Sequence, residues 1–203
     1  LIEGIPFGPG EGQGSARGSS FYHTDLDFTL KFPEGWKIEN LPTAVLGTSA
    51  DREVLIELTM RDLNRKISAK ELMSRLYGEN LENGREIKVS EYQGYAATVE
   101  MDTTFGSAHK CRVAILYKNK KEAFQFIATT KKGSEYRKYI LAFDDTIESL
   151  RKLKPSEKHL GEPKRIHIHK VKMGETFQSL AKKTAFTTHA ENRLRVINNK
   201  FPS

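Results

Sequence analysis

The amino-acid sequence predicts an α+β fold, an antiparallel sheet laid out largely as a meander and covered by helices. Three observations carry this expectation. Arg85–Thr130 holds four apolar-rich runs, with turn signals at Gln93-Gly94, Phe105-Gly106 and Asn119-Lys120. Apolar and polar residues alternate within the runs, so Cys111, Val113, Ile115 and Tyr117 share one strand face, and Phe124, Phe126 and Ala128 another. Segments with helical periodicity flank the meander on both sides in sequence.

The elements follow in order. Residues 1–20 are rich in Gly and Pro and read as a linker or surface arm, because such composition does not repay the entropy of ordering. The Gly-x-Gly-x-Gly pattern at Gly10, Gly12 and Gly14 invites comparison with a phosphate loop. It lacks the preceding strand, the Lys-Ser/Thr pair and the following helix. Asp27–Phe32 alternates as a strand and runs into the turn Pro33-Glu34-Gly35-Trp36, where the single Trp is expected to plug the end of the sheet. Ala44–Thr48 and Val54–Met60 are two further strands. Ser68 and Glu71 have capping-box spacing, and Leu72, Met73, Leu76 and Tyr77 give the helix they open an apolar face. Asn83-Gly84 should stop that segment. After the meander, a longer helix begins at Ser134 and carries Tyr136, Tyr139, Ile140, Phe143, Ile147 and Leu150. Both helices are expected on one side of the sheet.

Composition narrows the class. The chain has 203 residues, enough for one large domain or two small ones, with 37% hydrophobic and 29% charged residues. No apolar run approaches the roughly 18–20 residues that span a bilayer, so the segment is expected to be soluble. It starts on Leu1 without a charged leader, which suggests a mature form or an excised fragment. A single cysteine, Cys111, excludes an internal disulfide and a cysteine-rich zinc site. The net charge of +7 is uneven: from Ser156 onward, ten Lys or Arg face four Asp or Glu. The basic character belongs to the tail, which suggests two units with different partners.

In that tail, 154–164 reads as a linker and Arg165–Val171 as a strand. Gly174-Glu175-Thr176 turns into a helix with Phe177, Leu180 and Ala181. Thr188 and Glu191 form a second capping box, opening a helix with Leu194 and Ile197 inward, and Asn198-Asn199 can end it in the left-handed conformation.

Candidate chemistry is sparse. His167 and His169 share a strand face, but zinc needs a third or fourth ligand and only Glu162 or His159 is near in sequence, so a solvated face is expected. His109 and Cys111 also share a face, yet Cys111 stands in register with Val113 and Ile115 and is expected to be a buried, inert thiol. Asp144 and Asp145 diverge by about 100° on a helix, too far for an acid/base pair, and should face solvent or meet Lys138 and Arg151. Asp25 and Asp27 flank a strand start, where turn chemistry suffices. The basic tail could meet nucleic acid, an anionic membrane or an acidic polymer, but it carries no nucleic-acid motif and few aromatics, so nucleic acid is disfavoured.

Three resemblances add to these readings. FYHTDLDFTLKFPEGWKIEN (21–40) with the element order that follows resembles the Mog1/PsbP-like fold over Phe21–Leu153. Val171, Gly174, Glu175, Thr176, Phe177, Leu180, Ala181, Ile197 and Asn198 resemble a LysM module. There Glu175 stands where Asp is common, 181–198 is longer than the family pattern, and no closing strand follows. LIEGIPFG, the Phe21–Trp36 stretch and this tail together resemble the non-catalytic C-terminal region of secreted zinc metallopeptidases related to HtpX, BepA and the CAAX proteases. The catalytic His-Glu-x-x-His of those enzymes is absent from this chain, so no catalytic residue, metal or cofactor is expected in it, and zinc only in a separate catalytic domain. The resemblance implies a linker at 1–20, a sheet domain at 21–153, a linker at 154–164 and a LysM-like unit at 165–203. It further implies a periplasmic or secreted accessory region. That region would dock substrate, a protein partner or its own catalytic domain, with peptidoglycan or another glycan contacted at Gly174, Glu175, Thr176, Phe177, Ile197, Asn198 and Asn199. The alternative is a stand-alone envelope interaction protein.

Overall fold

The computed structural model describes residues 2–7, 14–63, 67–131, 136–186 and 188–201. The chain divides into two compact units, Pro9–Glu162 and a smaller one that joins Leu1–Gly8 to Pro163–Ser203. Twelve strands and four α-helices are present among the described residues. They run β1 (Pro6–Phe7), β2 (Ser15–Arg17), β3 (Ser20–His23), β4 (Phe28–Lys31), β5 (Lys37–Asn40), β6 (Ala44–Thr48), β7 (Val54–Asp62) and α1 (Ala69–Tyr77). Then come β8 (Glu82–Val89), β9 (Tyr92–Thr103), β10 (Gly106–Tyr117), β11 (Glu122–Thr130), α2 (Tyr136–Glu148), β12 (Lys164–Arg165), α3 (Phe177–Ala181) and α4 (Ala190–Ile197).

The larger unit is an α+β fold built on a seven-stranded antiparallel sheet, ordered β5-β6-β7-β11-β10-β9-β8. The meander is its centre. Both faces are buried over Cys111–Leu116 of β10 and Ala123–Phe126 of β11, which explains the apolar runs there, whereas Gly106–Lys110 at the start of β10 is largely exposed. On one face Ala114, Leu116, Phe124 and Phe126 pack with α2 residues Phe143 and Ile147 and with Phe21, Phe28 and Leu30 from a second, three-stranded sheet, β2-β3-β4. On the other, Cys111, Val113 and Ile115 pack with Ala69 and Met73 of α1. The two helices therefore lie on opposite faces, not on one side as expected. β3 and β4 supply the cover that a second helix would have given.

Three other expectations shift. The first hairpin of the meander turns at Ser90-Glu91, where Val89 pairs with Tyr92 and Ser90 takes the positive φ of 52°. Gly94 instead lies inside β9, opposite Leu116, where any Cβ would run into the Ile115 carbonyl. Its lack of a side chain serves close backbone packing rather than a turn. Asn83-Gly84 likewise sits within β8, at an irregularity between Glu82 and Arg85. At α1, the Ser68 hydroxyl caps the Glu71 amide as expected, but the Glu71 carboxylate pairs with Arg75 at 2.6 Å. The start of the second helix at Ser134, and Gly10 and Gly12, lie outside the described residues. Trp36 is half-buried against the core, after a turn in which Gly35 has a φ of 80°.

The stretches read as linkers carry structure. Ser15–Arg17 joins the three-stranded sheet, and the Arg17 guanidinium donates to the carbonyls of Leu160 and Glu162. Pro155–Gly161 is a 3₁₀ turn. Arg151 ties this turn to the sheet: its backbone exchanges hydrogen bonds with Thr29, while its guanidinium donates to both Glu157 oxygens at 2.7 Å. Local composition missed these segments because long-range hydrogen bonds order them.

Arg151, and secondarily the Lys154 amide, hold the Glu157 carboxyl down from an ordinary 4.5 to about 2. A carboxyl with a depressed folded-state pKa adds stability above its unfolded value and loses it as pH falls through the folded one. The thermal midpoint of the larger unit should drop between about pH 5 and about pH 2. Glu157→Gln should flatten that slope in a melting series, and an unaltered slope would assign the acid sensitivity to other carboxylates.

In the smaller unit, β1 pairs antiparallel with β12, Pro6 opposite Arg165 and Phe7 opposite Lys164. The strand expected over Arg165–Val171 stops almost at once, since its ladder partner is only two residues long. The capping box expected at Thr188 does not form: His189, with φ 48°, precedes α4 and makes no side-chain cap bond. Ala181 alone is buried among the unit's described residues.

Candidate functional site

Gly174 turns the chain into α3 with a φ of 85° and no neighbour near its missing side chain. Glu175 follows as the most connected carboxylate in the unit. It accepts from His169 Nε2 at 2.6 Å, the Lys172 amide at 2.9 Å and Lys183 Nζ at 3.1 Å. These donors, His169 first, hold its carboxyl down to about 2. The Thr176 hydroxyl caps α3 by accepting from the Ser179 amide, and the Ser179 hydroxyl oxygen in turn accepts from the Thr176 amide. Phe177 lies beneath the Arg195 guanidinium, 4.8 Å from ring centroid to Cζ, and Arg195 is itself paired with Glu191. That contact brings α3 and α4 together.

At the far end of α4, Asn198 donates its side-chain amide to the Leu194 carbonyl at 2.8 Å, and Asn199 adopts the left-handed φ of 53°. Ile197, expected inward, is 59% exposed. With α4 eight residues long, Leu194 and Arg195 take the inner face, and Val196 and Ile197 fall outside it. The polar groups of Glu175, Thr176 and Asn198 are thus engaged within the unit, while Gly174, Ile197 and Asn199 are exposed beside them.

The histidines meet carboxylates rather than solvent alone. His167 Nδ1 lies 2.7 Å from Glu3, whose other oxygen accepts from the Ile168 amide, and His169 meets Glu175. The Ile168 amide and then His167 pull the Glu3 carboxyl below its ordinary value. Glu162 and His159, the neighbours considered from sequence, belong to the 3₁₀ turn and its cap in the larger unit. No local signal reveals Glu3, which is 164 residues from His167. Cys111 is fully buried, burial raises its thiol pKa, and its Sγ sits 3.6 Å from the His109 carbonyl. His109 turns its Nδ1 to the Thr130 carbonyl at 3.2 Å. Asp144 pairs with Arg85 at 3.1 Å rather than with Arg151, and the side chain of Lys138 lies outside the described residues. Asp27 occupies a turn with φ 53°.

A shallow groove of about 210 Å³ runs between β8 and α2, lined by Arg85, Ile87, Lys88, Ala96, Asp144 and Glu148. Among the described residues, no three His, Cys, Asp or Glu gather in a way that could hold a metal ion, and no helix is long and apolar enough to cross a membrane.

No family model and no curated protein matches the chain. Solved structures do. The chain is similar to the solution structure of cyanobacterial PsbP (CyanoP) from Synechocystis sp. PCC 6803, at 12% identity and TM-score 0.52, over 68% of this chain and 95% of that one. It is also similar to a protein from Bacteroides thetaiotaomicron VPI-5482, at 14% identity and TM-score 0.46 over 70% of this chain, spanning only 51% of the other. A third is LpqN, involved in cell envelope biogenesis of Mycobacterium tuberculosis, at 11% identity and TM-score 0.43, over 69% and 87%. The CyanoP match defines the fold class: a Mog1/PsbP-like α+β sheet domain.

Proposed function

We propose that this chain is a non-catalytic binding region, in which the PsbP-like sheet domain docks a protein partner and the smaller unit contacts cell-envelope glycan. The observation that carries the reading is the state of the chemically able side chains. Cys111 is sealed in the core, His109 faces a carbonyl, and His167 and His169 are taken up by Glu3 and Glu175. A scaffold tolerates that arrangement, whereas a nucleophile needs an accessible, activated group. The resemblance of the N-terminal stretch and the tail to a zinc metallopeptidase supports a finer proposal. The region would act beside a separate catalytic domain that holds the zinc, in a periplasmic or secreted protein.

Glycan would be met by the Gly174–Phe177 turn and Ile197–Asn199, through backbone amides and the exposed aliphatic surface. Purified chain should be retained on insoluble peptidoglycan, and a Gly174→Val/Asn198→Ala variant that keeps its far-UV circular dichroism should lose retention. Equal retention of the two proteins would remove the glycan reading. A His-Glu-x-x-His encoded upstream of Leu1 in the same gene supports the peptidase parent. A start codon or lipoprotein signal just before Leu1 supports the stand-alone alternative.

A further inference from the structure

The smaller unit buries little and displays much. Ile2, Ile5, Phe7, Ile168, Val171, Met173, Val196, Ile197 and Phe201 are all at least 46% exposed, and Met173 is fully so. Only Leu41 and Leu141 among the described residues of the larger unit are comparable large apolar side chains. Exposed apolar surface concentrated in one small unit marks something that covers it. The same unit holds nine Lys or Arg against three acids, Glu3, Glu175 and Glu191. Each of those acids is already paired, with His167, with His169 and Lys183, and with Arg195.

Charge and apolar groups interleave rather than segregate. In 168–173 Ile168, Val171 and Met173 alternate with exposed His169, Lys170 and Lys172. On α4 the exposed residues Arg193, Val196 and Ile197 lie three and four apart on one side of the helix, Arg193 with its Cζ 5.7 Å over the Phe186 ring, and exposed Lys200 lies just beyond. Nucleic acid would need free aromatic faces for its bases. Here Phe7 and Phe186 pack edge to face at 6.0 Å, Phe177 is capped by Arg195, and Phe201 remains as a single exposed ring outside these contacts, too few to stack successive bases. A lipid headgroup region needs what is present, aliphatic tips that enter the acyl boundary and Lys or Arg that meet anionic headgroups.

We infer that the smaller unit is a peripheral anchor for an anionic lipid surface, inserting Val171, Met173, Val196 and Ile197 between headgroups met by Lys170, Lys172, Arg193 and Lys200. The attachment is reversible and salt-sensitive, and it goes beyond the glycan contact proposed above.

The test is co-sedimentation of the full chain with phosphatidylcholine vesicles containing about 30 mol% phosphatidylglycerol, against phosphatidylcholine alone. Binding is expected on the anionic vesicles only, and it should weaken from about 0.1 M to about 0.5 M salt. Lys170→Glu/Lys172→Glu should lower the partition coefficient about tenfold or more. Val171→Ser/Met173→Ser should lower it while leaving the circular dichroism unchanged. Lys70→Glu/Lys120→Glu, exposed lysines of the larger unit, should leave it unaltered. Equal binding to neutral vesicles, no binding to either, or tighter binding to a mixed-sequence oligonucleotide would overturn the inference. Vesicle binding that persists in the Gly174→Val/Asn198→Ala variant would separate it from the glycan reading.

Discussion

Phe124→Ala is expected to lower the unfolding free energy of the larger unit by about 3–5 kcal/mol, the range for removing a buried aromatic ring. Phe124 is fully buried on β11 and meets two rings edge to face, Phe28 at 5.1 Å and Tyr92 at 5.2 Å. Phe28 belongs to the three-stranded sheet and Tyr92 to the central one, so a single side chain joins the two sheets to each other. The substitution therefore leaves a cavity and also removes two aromatic pairs that act beyond simple area burial. Urea unfolding followed by circular dichroism measures the loss. A cost below about 1.5 kcal/mol would mean that the second sheet collapses onto the gap, and that its packing is more adaptable than the ring geometry implies.

Gly94→Ala should also destabilise, by about 1–3 kcal/mol, although alanine normally improves on glycine in a strand. The sign follows from what surrounds the position. A Cβ there meets the Ile115 carbonyl and the Leu116 Cα, backbone atoms of β10 that cannot rotate aside. β10 and β9 would have to separate at the centre of the sheet, where Leu116 and Ile115 are both fully buried. A neutral or stabilising result in the same unfolding assay would show that the two strands part at little cost.

Legibility in the sequence followed the range of the forces involved. β6 and the start of β7 were readable because alternation of side chains is a local property, as was the Ser68 cap of α1. β2 and β5 were not, because Ser15–Arg17 and Lys37–Asn40 are short and polar and become strands only by pairing with β3 and β6. The Ser90-Glu91 turn was hidden by Gly94, a glycine kept for strand contact but matching a turn signal. The opposite placement of α1 and α2 could not be read from order alone, since a run apolar on both faces does not say which layer covers which. At the candidate site, the Gly174–Thr176 turn into α3 was legible from local chemistry, and the Thr176 cap came only with the structure. The Glu3–His167 and Phe177–Arg195 contacts were not, since nothing near either residue in sequence foreshadows them.

Cys111 gives the protein a built-in clock. Its thiol is the chain's only one and lies in the innermost strand layer, in contact with the packing beneath α1. A maleimide or a disulfide reagent can reach it only when the sheet opens, and even then reaction waits on forming the thiolate. Labelling of the native protein should therefore be slow. It should quicken in proportion to the open population in destabilised variants, so one mass-spectrometric time course can follow the breathing of β10 without any probe being added.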